Sequence, residues 1–246
     1  KLPFTSHLEE LRKRLITVFI AVGVGFVASF GFKEYLFKIL VQPLINVMKE
    51  GETLIYTGLP EAFFTYLKVA FLTGLIVASP IILYQFWMFV APGLYKNERR
   101  MMMPIVLLSS FFFIGGALFG YIVVFPWGFQ FFMGFATDTI RPLPSMKEYF
   151  GFSAKLLLAF GLVFELPLVL TFMAKLGIVS VDFLKKNRKY ALLLFFAGAA
   201  ILTPPDVITQ ILMALPLMVL YEVSIIGAKL FGKKKPEPEK AEQQSD

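Results

Sequence analysis

LITVFIAVGVGFVASFGF, residues 15–32, is 18 positions without a charged side chain. A helix rises about 1.5 Å per residue, so roughly 18 apolar residues suffice to cross a hydrocarbon core about 30 Å thick. Soluble domains do not carry such runs, and this chain repeats the pattern. Spans are predicted over 15–33, 62–90, 101–133, 153–177, 190–203 and 207–228. The expected fold is an all-α polytopic membrane protein with six transmembrane helices. Lys68 and Pro80 interrupt the second span, Pro126 bends or ends the third, and Pro204-Pro205 stops the fifth. Between the first two lies a mostly polar segment with Pro43, Asn46 and Glu50-Gly51-Glu52. Residues 1–231 form one transmembrane domain in this reading, and 232–246 a disordered, charged cytoplasmic tail. No small-residue cleavage site follows the first run, which reads as a permanent span rather than a signal peptide. The start at Lys1 without Met reads as the trimming of a residue or more.

Composition agrees. Hydrophobic residues make up 57% of the chain, against about 45–50% in soluble domains. The net charge of +7 would suggest nucleic acid in a soluble protein. Here the excess sits in short loops and termini, so it reads as topology and no nucleic-acid partner is expected. With no Cys and one His, His7, there is no disulfide, thiolate chemistry or metal constellation to build, and no cofactor is expected. Gly227 to Lys234 (GAKLFGKK) misses a phosphate-binding loop, lacking the final Ser or Thr and following a helix.

Lys and Arg set the orientation. The N-terminal segment, the loops near 96–100 and 175–189, and the tail hold 17 of them, and the opposite loops six. That bias places both termini in the cytoplasm and requires an even number of spans. Tyr190 to Thr203 is only 14 residues, about 21 Å. The charge-free run Val207 to Tyr221 is 15, about 22 Å. Spans five and six are therefore expected to be short, either shielded by longer neighbours or thinning the bilayer locally.

Few residues could carry chemistry. Ser6 and Glu9 fit a capping box ahead of an amphipathic lead-in through Leu8, Leu11 and Leu15. That leaves Glu10 either as an ordinary partner of Arg14 at i,i+4 or as a free acid at the membrane face. Glu98, alone among Lys96, Arg99 and Arg100, is either locally paired or a second cytoplasmic carboxylate. Glu165 lies inside an apolar span, where an acid costs about 2.5–3.5 kcal/mol on insertion scales, so function is the default reading. Pro167 should kink the helix beside it. Asp206 reads as the N-cap of the last span, with Gln210 one turn on the same side. Glu222 is placed near the cytoplasmic interface. Gly116 and Gly120 form a GxxxG packing motif. No nucleophile–base pair or nucleotide motif remains, so enzyme function is not expected.

Taken together, HLEELRKRL at 7–15, QPL at 42–44, SPIILYQFWMFVAPGLYKNERR at 79–100, FGLVFELP at 160–167 and LTPPDV at 202–207 resemble the TatC family. That family is the large subunit of the twin-arginine translocase of the bacterial cytoplasmic membrane. The resemblance implies a receptor for the twin-arginine signal peptides of folded precursors, driven by the proton-motive force. It also implies TatA- and TatB-like single-span partners in a hetero-oligomer of several copies. Carried over residue by residue, it implies signal-peptide contacts at Glu10, Glu98, Phe89 and Arg12. It further implies an intramembrane acid facing a concave groove at Glu165, polar partner positions at Asp206 and Gln210, and a structural Pro43 in the first outer loop. Glu9 departs from the pattern by doubling the acid next to Glu10. The competing reading is an ion-coupled secondary transporter with Glu165 carrying the proton, but no repeat relates the two halves of the chain.

Overall fold

The computed structural model describes residues 4–49, 51–90, 102–137, 139, 141–202 and 207–232. Glu98, Asp206 and the tail from 233 onward lie outside the described residues. The described chain is helical, and two of its interhelical loops touch through an isolated bridge between Ile55 and Ser145. The helices are α1 (Phe4–Phe30), α2 (Lys33–Ile45), α3 (Glu61–Val90), α4 (Met102–Phe119), α5 (Phe125–Met133), α6 (Met146–Val163), α7 (Leu166–Lys175), α8 (Val181–Lys186), α9 (Arg188–Leu202) and α10 (Val207–Phe231).

Among the described residues five spans are long and apolar enough to cross a membrane: His7–Phe30, Glu61–Val90, Met103–Met133, Met146–Lys175 and Val207–Phe231. α9 corresponds to the expected fifth span, but its 15 residues reach only about 22 Å. α10 corrects the expectation of a short last helix. It runs 25 residues and continues past Glu222. Glu222 within it is paired with α9, where Arg188 Nη2 donates to Glu222 Oε2 at 2.7 Å.

The prolines act differently from one another. α3 passes through Pro80 and α10 through Pro216 without a break. Pro126 falls in the first turn of α5, after a π-helical turn at Gly120–Val124, so the third span bends there and goes on. Pro43 corrects a larger expectation. The segment after α1 is not a polar loop but α2, with Pro43 buried inside it. Proline has no N–H, so the Ile39 carbonyl four residues back loses its helical donor. The Tyr121 hydroxyl donates to that carbonyl at 2.6 Å, and the Tyr149 hydroxyl donates to the neighbouring Leu40 carbonyl at 2.5 Å. Tyr121→Phe is expected to lower stability by about 1 kcal/mol. The loss should vanish in a Pro43→Ala background, where an amide at 43 can serve Ile39 again. Unfolding of the two single variants and the double variant in detergent checks this.

α1 packs chiefly on α3, α4 on α6, and α10 on α7 and α9. Small residues set two of these crossings. A Cβ on Gly25 would lie 2.6 Å from the Gly74 carbonyl oxygen, and one on Gly74 would lie 2.5 Å from the Phe26 nitrogen. At the predicted GxxxG, a Cβ on Gly116 would lie 2.5 Å from the Phe160 carbonyl oxygen. The largest buried cluster joins Leu40, Val41, Phe125, Phe129, Leu156 and Phe160 at the centre of the bundle.

Candidate functional site

The α1–α3 crossing brings the first turns of α1 beside the last turns of α3. His7 stacks on Phe89, with ring centroids 4.5 Å apart and planes 17° from parallel. One and two turns along, Arg14 bridges the same helices. Its Nε donates to Glu10 Oε1 at 3.0 Å, its Nη2 makes a second contact with that oxygen, and its Nη1 donates to Gln85 Oε1 at 3.1 Å. The helix begins at Phe4, so Ser6 stands inside it rather than at its cap. Glu9 and Arg12 are exposed. Glu9, Glu10, Lys13, Arg14, Thr17 and Gln85 line an open cavity of about 380 Å³.

Of the residues expected at this end, Glu10 and Phe89 are therefore brought onto one rim, and Arg12 points out beside them. His7 and Gln85 join them without having been anticipated. Gln85 sits one turn before Phe89 on α3, the only signal in sequence that could have marked it.

A second constellation lies within the span region. α6 and α7 are separated by a two-residue turn at Phe164–Glu165, and Pro167 opens α7. The proline ring cannot supply the amide that would continue α6, so the kink falls on Glu165 itself. Glu165 is buried, with 7% of the residue exposed. Ser109 Oγ donates to Glu165 Oε2 at 2.6 Å, and Trp87 Nε1 donates to Ser109 Oγ at 3.0 Å. Trp87 packs edge-on against Phe172 of α7. α3, α4 and α7 thus close around the acid. Glu165 Oε1 is buried without a hydrogen-bond partner among the described residues.

Gln210, in the first turn of α10, donates through Nε2 to the Phe196 carbonyl of α9 at 2.8 Å. It joins the short helix to the last one. At the opposite rim from Glu10, Glu61 opens α3 and accepts from the Thr57, Gly58 and Lys147 amides at 2.8, 3.3 and 3.0 Å. It ties the segments around Thr57 and Lys147 to the bundle. Sequence reasoning missed it, because an acid in a first helical turn is ordinary.

Among the described residues no group of His, Cys, Asp and Glu could hold a metal ion. The arrangement offers instead a carboxylate at a membrane rim, an aromatic floor beside it, and an enclosed acid deeper in the bundle.

Comparison with known proteins agrees with this architecture. The family profile for "Sec-independent protein translocase protein (TatC)" matches residues 6–216. A protein of that name from Desulforapulum autotrophicum is 66% identical, covering 100% of this chain and 92% of its own. Its counterpart from Escherichia coli K12 is 38% identical, covering 93% of this chain and 89% of its own. A crystal structure of the "Twin Arginine Translocase Receptor- TatC" superposes with a TM-score of 0.81 at 42% identity, over 91% of this chain and 98% of that one. The chain belongs to the TatC family, a multi-pass membrane component of Sec-independent protein translocation.

Proposed function

We propose that the chain is the signal-peptide receptor of a twin-arginine translocase, and that the rim at the α1–α3 crossing is where the arginine pair lands. The observation that carries this is the guanidinium already seated on Glu10. The same carboxylate holds Arg14, which shows the chemistry by which an arginine would be taken. Carboxylates bind guanidinium through parallel, charge-assisted hydrogen bonds that an ammonium group does not copy. Glu98 supplies the second acid and Arg12 and Phe89 frame the pair. The signal peptide's apolar stretch then lies along the bundle in lipid.

In this reading six helices cross the membrane, with α9 as the short fifth span, and both termini face the cytoplasm. The Lys/Arg bias supports that orientation. Residues 1–231 act as one transmembrane domain, followed by a charged tail. The role is that of receptor and scaffold rather than enzyme, with export of folded proteins driven by the proton-motive force. Single-span TatA- and TatB-like subunits gather around several copies. Asp206 and Gln210 offer them polar contacts, and Glu165, whose second oxygen is buried, joins them only where its enclosing helices part. The transporter reading is weaker, since Glu165 is enclosed by Trp87, Ser109 and Phe172 rather than set in a pathway.

A signal peptide with a photo-crosslinker beside its arginine pair tests the function. It should label residues 7–17 and 84–90. Labelling confined to the far rim, around 52–60, would overturn the proposal. Glu165→Gln is expected to leave peptide binding within about twofold while transport drops at least about tenfold, since an amide keeps the Ser109 contact but cannot ionise. Transport by reconstituted vesicles checks this, and an unchanged rate removes the role given to Glu165.

A further inference from the structure

The Arg14–Glu10 contact differs from a routine pair on one helix. The two side chains are only 18% and 31% exposed, and the guanidinium is also tethered to a second helix through Gln85. Both of its bonds to Glu10 fall on Oε1. The other oxygen, Oε2, has no partner among the described residues. The cavity around it is lined by two acids, Glu9 and Glu10, and two cations, Lys13 and Arg14. Its formal charge cancels, so a doubly cationic ligand gains little there until a cation withdraws. Gln85 is the neutral acceptor that could keep Arg14 once Glu10 lets go.

We infer that Arg14 is a resident occupant of the arginine site. It holds Glu10 while the receptor is empty, and it yields that carboxylate to an arginine of the signal peptide by swinging fully onto Gln85. This rests on the reading of Glu10 as a signal-peptide contact. The exchange replaces one guanidinium by another, so Glu10 is never left bare and unpaired at the membrane rim. The resident form cannot bind, so apparent affinity is reduced by the fraction of receptors in which Arg14 is seated. That reduction is the same for any ligand that must displace Arg14. Arg14 therefore sets the threshold for binding, and the carboxylates set the preference for arginine over lysine. Gln85 is a positioning residue that acts only through Arg14.

The measurement is equilibrium binding of a fluorescent twin-arginine signal peptide, and of its twin-lysine version, to the purified full-length chain in lipid nanodiscs. Arg14→Gln should bind both peptides about fivefold more tightly, with their ratio unchanged. Lys13→Gln removes the same charge from the same cavity without touching Glu10, and should change affinity by less than about twofold. Gln85→Leu should weaken binding about threefold, because displaced Arg14 has no acceptor. In the Arg14→Gln background Gln85→Leu should do nothing further. The inference is overturned if Arg14→Gln binds no more tightly, if Lys13→Gln matches it, or if the Gln85→Leu effect persists without Arg14. Gln85→Leu keeps the Arg14–Glu10 pair, so it carries the test alone if Arg14→Gln does not fold; unchanged binding then overturns the inference. A separate arm isolates the underlying reading: if Glu10→Gln retains full affinity, the recognition site itself is misplaced, whatever Arg14 does.

Discussion

Glu10→Ala is expected to weaken binding of a twin-arginine signal peptide by about ten- to a hundredfold. A hydrogen bond to a charged group contributes about 1.5–3 kcal/mol, and each 1.4 kcal/mol is a factor of ten. The lower end applies if water screens the site, since Glu10 is 31% exposed. The bundle should survive the change. Arg14 keeps its bond to Gln85, and His7 keeps its stack on Phe89. Glu98→Ala should act in the same direction. Glu9→Gln should cost less than about threefold, because Glu9 is exposed and charge at that distance is screened. Fluorescence anisotropy against the labelled peptide resolves these differences. Equal losses for Glu9 and Glu10 would point to a diffuse acidic surface rather than a site.

The second large effect concerns the crossing that builds the rim. Gly74→Leu is expected to destabilise the protein by about 3 kcal/mol or more and to separate α1 from α3. A Cβ at 74 would meet the Phe26 nitrogen at 2.5 Å and the Gly25 carbonyl carbon at 2.7 Å. Both are backbone atoms, and no rotamer change moves them aside. The helices would have to part by more than an ångström over a contact that supplies most of α1's packing. Glu10 and Phe89 would then no longer share a rim, so peptide binding should fall with stability. Gly115→Leu on α4 provides the comparison, since a Cβ there meets nothing within 4 Å. Thermal unfolding in detergent should separate the two clearly. Similar midpoints for both would mean that the close crossing does not govern the fold.

How legible this was in the sequence depends on distance along the chain. Long apolar runs announce themselves, so most spans and the kink at Pro167 were readable. α2 was not, because Lys33, Glu34, Lys38 and Pro43 give it the look of a polar loop. Its helical signal is the spacing of Leu36, Leu40, Val41 and Leu44, which cover one face against the core. α10 looked short because its charge-free run stops at Tyr221, and the Arg188 that pairs with Glu222 lies 34 residues earlier. The site shows the same division. Glu10 and Glu165 stand out locally, as acids where acids are costly or free. Gln85 and Ser109 do not, because their partners lie 71 and 56 residues away and no local pattern encodes those contacts.

The central claim is that paired carboxylates at this rim recognise arginine by its forked geometry and not merely by its charge. The direct measurement compares, on one preparation of the full-length chain, the affinities of a signal peptide bearing two arginines and the same peptide bearing two lysines. The account predicts at least about tenfold weaker binding for the lysine peptide at physiological salt, since both peptides carry the same charge and only the guanidinium can bind two oxygens at once. Equal affinities would contradict it.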